Sequence, residues 1–280
     1  MKFKKDNAGD AIIFIVLLLL AIIFLIPIFL VLMNSFKSRL YISNAPFAFP
    51  DKETFSGFEN YINGLSTSGF MLSFLRSLFI TIFSVLLIII CTAMTSWFIV
   101  RVKNKFTKAL YYLFAFSMIV PFQMVMYTMT YIVNSINFDN IFGITLVYLG
   151  FGAGLSVFMF TGFVKGVPQE IEEAAEIDGA NPLQTFFMIV FPILKPTVIT
   201  VAILNSMWIW NDYLLPYLVL GTRSKTIPVA IQIAMQGAYG ATDYGGFMAM
   251  LVLAIIPIIA FYLCSQKYII KGVVAGAVKA

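Results

Sequence analysis

The chain has 280 residues, 61% hydrophobic and 11% charged, with a mean hydropathy of +0.95 and a formal net charge of +5. Soluble domains hold roughly 45–50% apolar residues, so the composition is that of an integral membrane protein, and basic residues scattered over short loops exclude a nucleic-acid-binding face. Histidine is absent, which removes the commonest general base, proton relay and zinc ligand; Cys91 and Cys264 lie in apolar runs, as small core residues rather than a disulfide or metal pair.

A bilayer core about 30 Å thick needs about 20 apolar residues in helical form. Six stretches meet that length: 11–33, 72–100, 109–131, 143–164, 197–220 and 246–266. The first follows Lys2, Lys4 and Lys5, but its apolar run is too long for a secretory signal and no Ala-x-Ala-like site follows, so it is expected to stay as an anchor helix. No internal repeat is evident.

Orientation follows from the lysines and arginines near the span ends. With the N-terminus inside, the inner segments hold Lys2, Lys4, Lys5, Arg101, Lys103, Lys105, Lys108, Lys165, Lys195, Lys267, Lys271 and Lys279. The outer segments hold only Lys37, Arg39, Lys52, Arg76, Arg223 and Lys225. Both termini are therefore expected to be cytoplasmic. The outer loop 34–69 is polar and long enough for a small folded element, 134–142 is short, and 221–245 is rich in Gly, Tyr and Gln.

Between the fourth and fifth spans lies the most acidic stretch, with Glu170, Glu172, Glu173, Glu176 and Asp178 close together. Pro168 and the early carboxylates suit a helix start, and Gly179 suits a C-terminal cap. Asn181 and Pro182 suit the cap and first residue of a second, apolar helix, which Pro192 and Pro196 interrupt. The segment thus reads as a helical hairpin, acidic then apolar. Carboxylates near the bilayer midplane would cost on the order of 3 kcal/mol each, so the hairpin belongs outside the hydrocarbon. It is either an amphipathic element on the membrane surface or a grip for a basic protein partner, and the excess of acid over Lys and Arg favours the partner.

Glu173, Ala174 and Ala175, then Gly179 after three positions and Ile189 after nine more, with Phe191 and Pro192 behind it, resemble the EAA loop of permease subunits of ATP-binding-cassette importers. Phe191 stands where the usual pattern has leucine. "WIWNDYLLP" at 208–216, "TIPVAIQ" at 226–232 and the tail "YIIKGVVAGAVKA" are similar to carbohydrate importers of the maltose and multiple-sugar type, the MalG-like permeases. The resemblance implies an all-α integral membrane protein with the type I importer permease fold: one permease domain over 1–280, six transmembrane helices, and a cytoplasmic coupling loop at 166–196. Glu173, Ala174, Ala175, Asp178, Gly179, Ile189 and Pro192 would be the coupling residues, with Glu173 meeting a basic residue of an ATPase groove. ATP and magnesium would sit on that ATPase, leaving no cofactor in this chain. The implied partners are a second, different permease, a cytoplasmic ATPase dimer, an extracellular solute-binding protein touching 221–245, a sugar substrate and the lipid of a bacterial cytoplasmic membrane. The C-terminal tail would reach the ATPase.

"GTRSKT" at 221–226 lacks the phosphate-loop spacing. For a translocation path, Asn205, Trp208 and Asp212 recur at helical spacing in the fifth span, where they either line the path or hold helices together. Gln123, Tyr127 and Thr130 form a second stripe, as path or as interhelical glue. Gly150 to Gly154 and Gly162 to Gly166 have the spacing of close helix packing. An importer for another solute shares the EAA loop. An ion-coupled carrier would need a charged or broken-helix site near the midplane, and an enzyme would need His, Cys or paired carboxylates positioned for chemistry.

Overall fold

A computed structural model describes residues 8–235 and 243–277, the side chains of residues 8, 67, 68, 234 and 267–277 excepted. Lys2, Lys4, Lys5, Lys279, residues 236–242 of the last outer loop and the end of the tail lie outside the described residues, as do the side chains of Lys267 and Lys271. The described elements are all helical apart from one isolated bridge, between Lys37 and Phe55. They fall into two compact units, residues up to Phe70 with Ala230–Pro257, and Met71–Val229 with residues from Ile258 on.

The first unit opens with α1 (Ala8–Asn34), whose apolar side chains from Ile12 to Phe29 are largely exposed, as lipid contact requires. Two short helices follow, α2 (Arg39–Asn44) and α3 (Glu59–Ser68). They enclose a small folded element, as the length of this loop predicts. Asn60 Nδ2 donates to the carbonyls of Ser35 and Lys37, both at 2.8 Å, and Phe36 sits among Phe55, Phe58 and Tyr61. Lys37 is buried with its ammonium donating to Ala45 O at 2.9 Å, and burial lowers its pKa against the opposing pull of Asp51.

The second unit is built on α4 (Phe70–Arg101), α5 (Lys105–Ser117), α6 (Phe122–Ser135) and α7 (Ile141–Val164). The hairpin comprises α8 (Glu170–Ile177), α9 (Pro182–Gln184), a π-helical turn at Thr185–Val190, and α10 (Phe191–Ile193). Then come α11 (Lys195–Asn211) and α12 (Leu214–Leu220), while α13 (Ile227–Met235) and α14 (Tyr244–Ala277) are divided between the units, their residues Ala230–Pro257 belonging to the first. A core of Ile88, Ala93, Ile144, Tyr148, Phe160, Val164, Phe186, Val190, Val201, Ile209 and Leu215 joins α4, α7, the hairpin, α11 and α12.

Among the described residues four helices are individually long and apolar enough to cross a bilayer, and up to six spans result if each sharply bent pair counts as one. The expected third span is not one helix: α5 and α6 meet at 107°. Pro121 lacks an amide donor and disfavours helical backbone at Val120, so the apolar run continues while the helix does not. The expected fifth span also breaks, after Asn211. There the Asp212 carboxylate accepts from the amides of Leu214 and Leu215, at 3.0 and 3.3 Å, and starts α12.

Two glycines of α7, Gly152 and Gly154, approach neighbouring helices closely. A side chain at Gly152 would lie 2.6 Å from Ile88 Cδ1, and one at Gly154 would lie 3.0 Å from the Phe114 carbonyl oxygen of α5. Gly150 and Gly162 have no such neighbour, so the packing seam differs from the one the spacing suggested. Overpacking typically costs about 1–3 kcal/mol, and a backbone oxygen cannot yield as Ile88 can. Gly154→Val should therefore lower the thermal midpoint in detergent clearly more than Gly150→Val, measured side by side.

Candidate functional site

Local signals fold the hairpin. At the end of α8, Gly179 takes φ +87°, with Gly179 N–H donating to Glu176 O and Ala180 N–H to Ala175 O, both at 3.0 Å. These are the two bonds of a Schellman cap, which needs a left-handed residue at this position. The return limb starts with a reciprocal cap: Gln184 N–H donates to Asn181 Oδ1 and Asn181 N–H to Gln184 Oε1, each at 2.9 Å, with Pro182 in the first turn.

The five acids do not share one role. Glu172 is turned inward and buried, and it receives three N–H groups from α4. Arg101 Nη2 donates to Oε1 at 2.6 Å, Arg101 Nε lies 3.0 Å from both oxygens, and Trp97 Nε1 donates to Oε2 at 2.9 Å. Arg101 Nη2 also donates to Val167 O at 3.0 Å, tying down the entry to the hairpin. The Trp97 ring packs on Phe186 of the return limb at 5.6 Å, so both limbs rest on the end of α4.

This arrangement fixes what faces outward. Glu170, Glu173, Ala174, Glu176 and Asp178 are exposed, and Ile177 is 86% exposed among them. Ala175 faces the bundle, Ile189 is half-buried and Pro192 is exposed. The surface is an acidic ridge with Ile177, and to a lesser extent Ile171, as apolar points on it. Sequence reading grouped Glu172 with the outward acids and assigned Arg101 to topology alone. The available clue was that Glu172 and Ala175, three apart, share a helix face, and that an arginine at a span end is well served by a carboxylate.

The path candidates separate in the same way. Asn205 is buried and donates to Ser156 Oγ at 3.2 Å and Val201 O at 2.9 Å, so it joins α11 to α7. Asp212 starts α12 and accepts from the Tyr148 hydroxyl at 3.1 Å. Tyr148, which sequence reading did not single out, is wholly buried and also meets Trp208 edge to face at 5.4 Å. Trp208 remains 40% exposed. On α6, Gln123 and Tyr127 are exposed, Tyr127 at 76%, while the Thr130 hydroxyl donates back to Met126 O at 2.7 Å. Asn205 and Asp212 thus hold helices, whereas Gln123, Tyr127 and part of Trp208 are open to contact.

The profile of a family described as "Binding-protein-dependent transport system inner membrane component" matches residues 89–274. Among curated relatives, the probable starch degradation products transport system permease protein AmyC of Thermoanaerobacterium thermosulfurigenes is 36% identical over 263 residues, 94% of each chain. The multiple sugar-binding transport system permease protein MsmG of Streptococcus mutans is also 36% identical over 263 residues, covering 92% of this chain and 93% of the relative. In fold, the chain matches a crystal structure of a bacterial ABC transporter involved in the import of the acidic polysaccharide alginate. The TM-score is 0.74 at 22% identity, with 95% of this chain and 99% of the other covered.

Two outcomes are expected from this geometry. Removing one partner of a buried ion pair costs about 3–5 kcal/mol, so Glu172→Ala should lower the thermal midpoint strongly, and adding Arg101→Met should recover part of the loss; additive losses would contradict the pairing. Open space surrounds the position a Gly179 side chain would occupy, so substitution there is penalised by backbone conformation alone. Gly179→Val should reduce function by more than Gly179→Asn, because asparagine tolerates the left-handed region, as measured by solute uptake in cells.

Proposed function

Because the chain belongs to the family of binding-protein-dependent transport system inner membrane components, we propose that it is a permease subunit of an ATP-driven importer for sugars or oligosaccharides. The observation that carries the coupling role is the hairpin: a rigid element braced on Arg101 and Trp97, presenting Glu173 and Ile177 outward. The names of the relatives, given for starch degradation products and multiple sugars, support the substrate class.

The chain forms half of a heterodimeric pore with a second, different permease and works as one permease domain. Its hairpin lies on the cytoplasmic side, as do both termini, and docks on one subunit of an ATPase dimer. That dimer holds ATP and magnesium; this chain binds neither. ATP binding closes the dimer and draws the docked hairpins together, which opens the bundle outward to a solute-binding protein. Hydrolysis resets it inward.

Within the bundle, Gln123, Tyr127 and Trp208 are the side chains placed to meet a sugar, through an amide, a hydroxyl and aromatic faces. Asn205, Asp212 and Tyr148 keep that wall in shape. Of the coupling residues, Glu173 and Asp178 provide charge, Ala174 permits close approach, Gly179 sets the turn, Ala175 and Ile189 seat the hairpin, and Pro192 breaks the return limb.

The test is charge reversal. Glu173→Lys should insert normally yet lower sugar uptake about tenfold or more, the equivalent of about 1.4 kcal/mol of lost docking, together with reduced co-purification of the ATPase. Normal uptake by this variant would refute the contact.

A further inference from the structure

At the end of the bundle that carries the hairpin, a cavity of about 700 Å³ opens between α5 and α7. Its wall includes Lys103, Lys105, Lys108, Lys165 and Tyr111, and no carboxylate lines it. Among the described residues none of these four ammonium groups is in an ion pair, whereas Arg101 on the same wall is neutralised by Glu172. Lys165 stands 5.6 Å over the Tyr111 ring. Lys105 and Lys108 lie in the first turn of α5, at the positive end of the helix dipole, where an anion is favoured and a cation is not. The cavity therefore concentrates positive charge that no carboxylate among the described residues pairs with.

A second observation gives the ligand its shape. Farther along the same two helices lies an apolar slot of about 460 Å³, walled in part by Leu113, Phe116, Val147 and Phe151. Gly150 borders it, and a side chain there would touch nothing, which leaves the slot open. Along α5, Lys108 and Phe116 are separated by about 12 Å at 1.5 Å per residue, within the ~15 Å depth of one leaflet of hydrocarbon. A cationic chamber at the end of the bundle, continued by an apolar slot about one leaflet deep, matches the two halves of an anionic glycerophospholipid.

We propose that α5 and α7 form a specific site for an anionic phospholipid, with its phosphate among Lys105, Lys108 and Lys165 and an acyl chain in the slot beside Gly150. Basic pockets between membrane helices recognise such headgroups by charge; here the adjoining slot adds selection for a chain. The site depends on the chain lying in a bilayer and not on which solute is imported.

The full-length chain, purified with whatever subunits accompany it and delipidated in mild detergent, is offered equal amounts of phosphatidylglycerol and phosphatidylcholine and read by native mass spectrometry. Wild-type protein should retain phosphatidylglycerol about tenfold over phosphatidylcholine, given the strength of several lysines acting together. Combined Lys105→Gln, Lys108→Gln and Lys165→Gln should bring the ratio near one, arginine at the same positions should preserve it, and Lys52→Gln should not move it. Gly150→Leu, which fills the slot without altering charge, should weaken lipid retention. Equal retention of both lipids by wild type, or a ratio unmoved by the three glutamines, overturns the site. Complete displacement by sn-glycerol 3-phosphate overturns the lipid in favour of a soluble phosphate. Loss of a co-purifying acidic protein from the glutamine variant, with the lipid ratio unchanged, also overturns it.

Discussion

The placement of the hairpin depends on one buried contact, the Glu172 carboxylate held by Arg101 and Trp97. A buried ion pair is a weak source of net stability, because two charges must leave water. It is a strong source of geometry, since the paired guanidinium and carboxylate accept few other arrangements. Here it sets the rotation of α8 about its own axis. With Glu172 pointing at α4, Glu173 and Ile177 must point away, and the outward ridge follows.

The same economy of polar groups runs through the second unit. Ser96 Oγ donates to Val157 O at 3.2 Å across α4 and α7, Asn205 reaches Ser156, and Tyr148 reaches Asp212. Among helices in lipid, packing and interhelical hydrogen bonds carry association, because the solvent is as apolar as the side chains. Gly152 and Gly154 bring α7 close enough to its neighbours for these contacts to form. Gln123 and Tyr127, by contrast, stand exposed on α6.

Much of this was legible in the sequence, for identifiable reasons. Apolar runs report burial in lipid, so the spans could be located; they do not report helix continuity, so the bend at Pro121 and the break at Asp212 emerged only in three dimensions. The caps at Gly179 and Asn181 are interactions within a few residues, and their residue types announced them. Glu172 and Glu173 are adjacent and chemically identical, and only a partner 71 positions earlier, Arg101, separates their roles. Tyr148 was hidden because one tyrosine in an apolar helix looks like any other aromatic filler until Asp212 and Trp208 are seen around it.

The turn at Gly179 is closed by backbone bonds, and both limbs of the hairpin bear on a single indole. Little compliance is left in the tip. The chain instead changes direction by 78° between the return limb and α11, beside Pro192 and Pro196, with Leu194 buried at the corner. Mechanically this has the shape of a crank: under the proposed docking, a load on Ile177 would reach α11 as torque about Leu194 and turn the helix that carries Trp208.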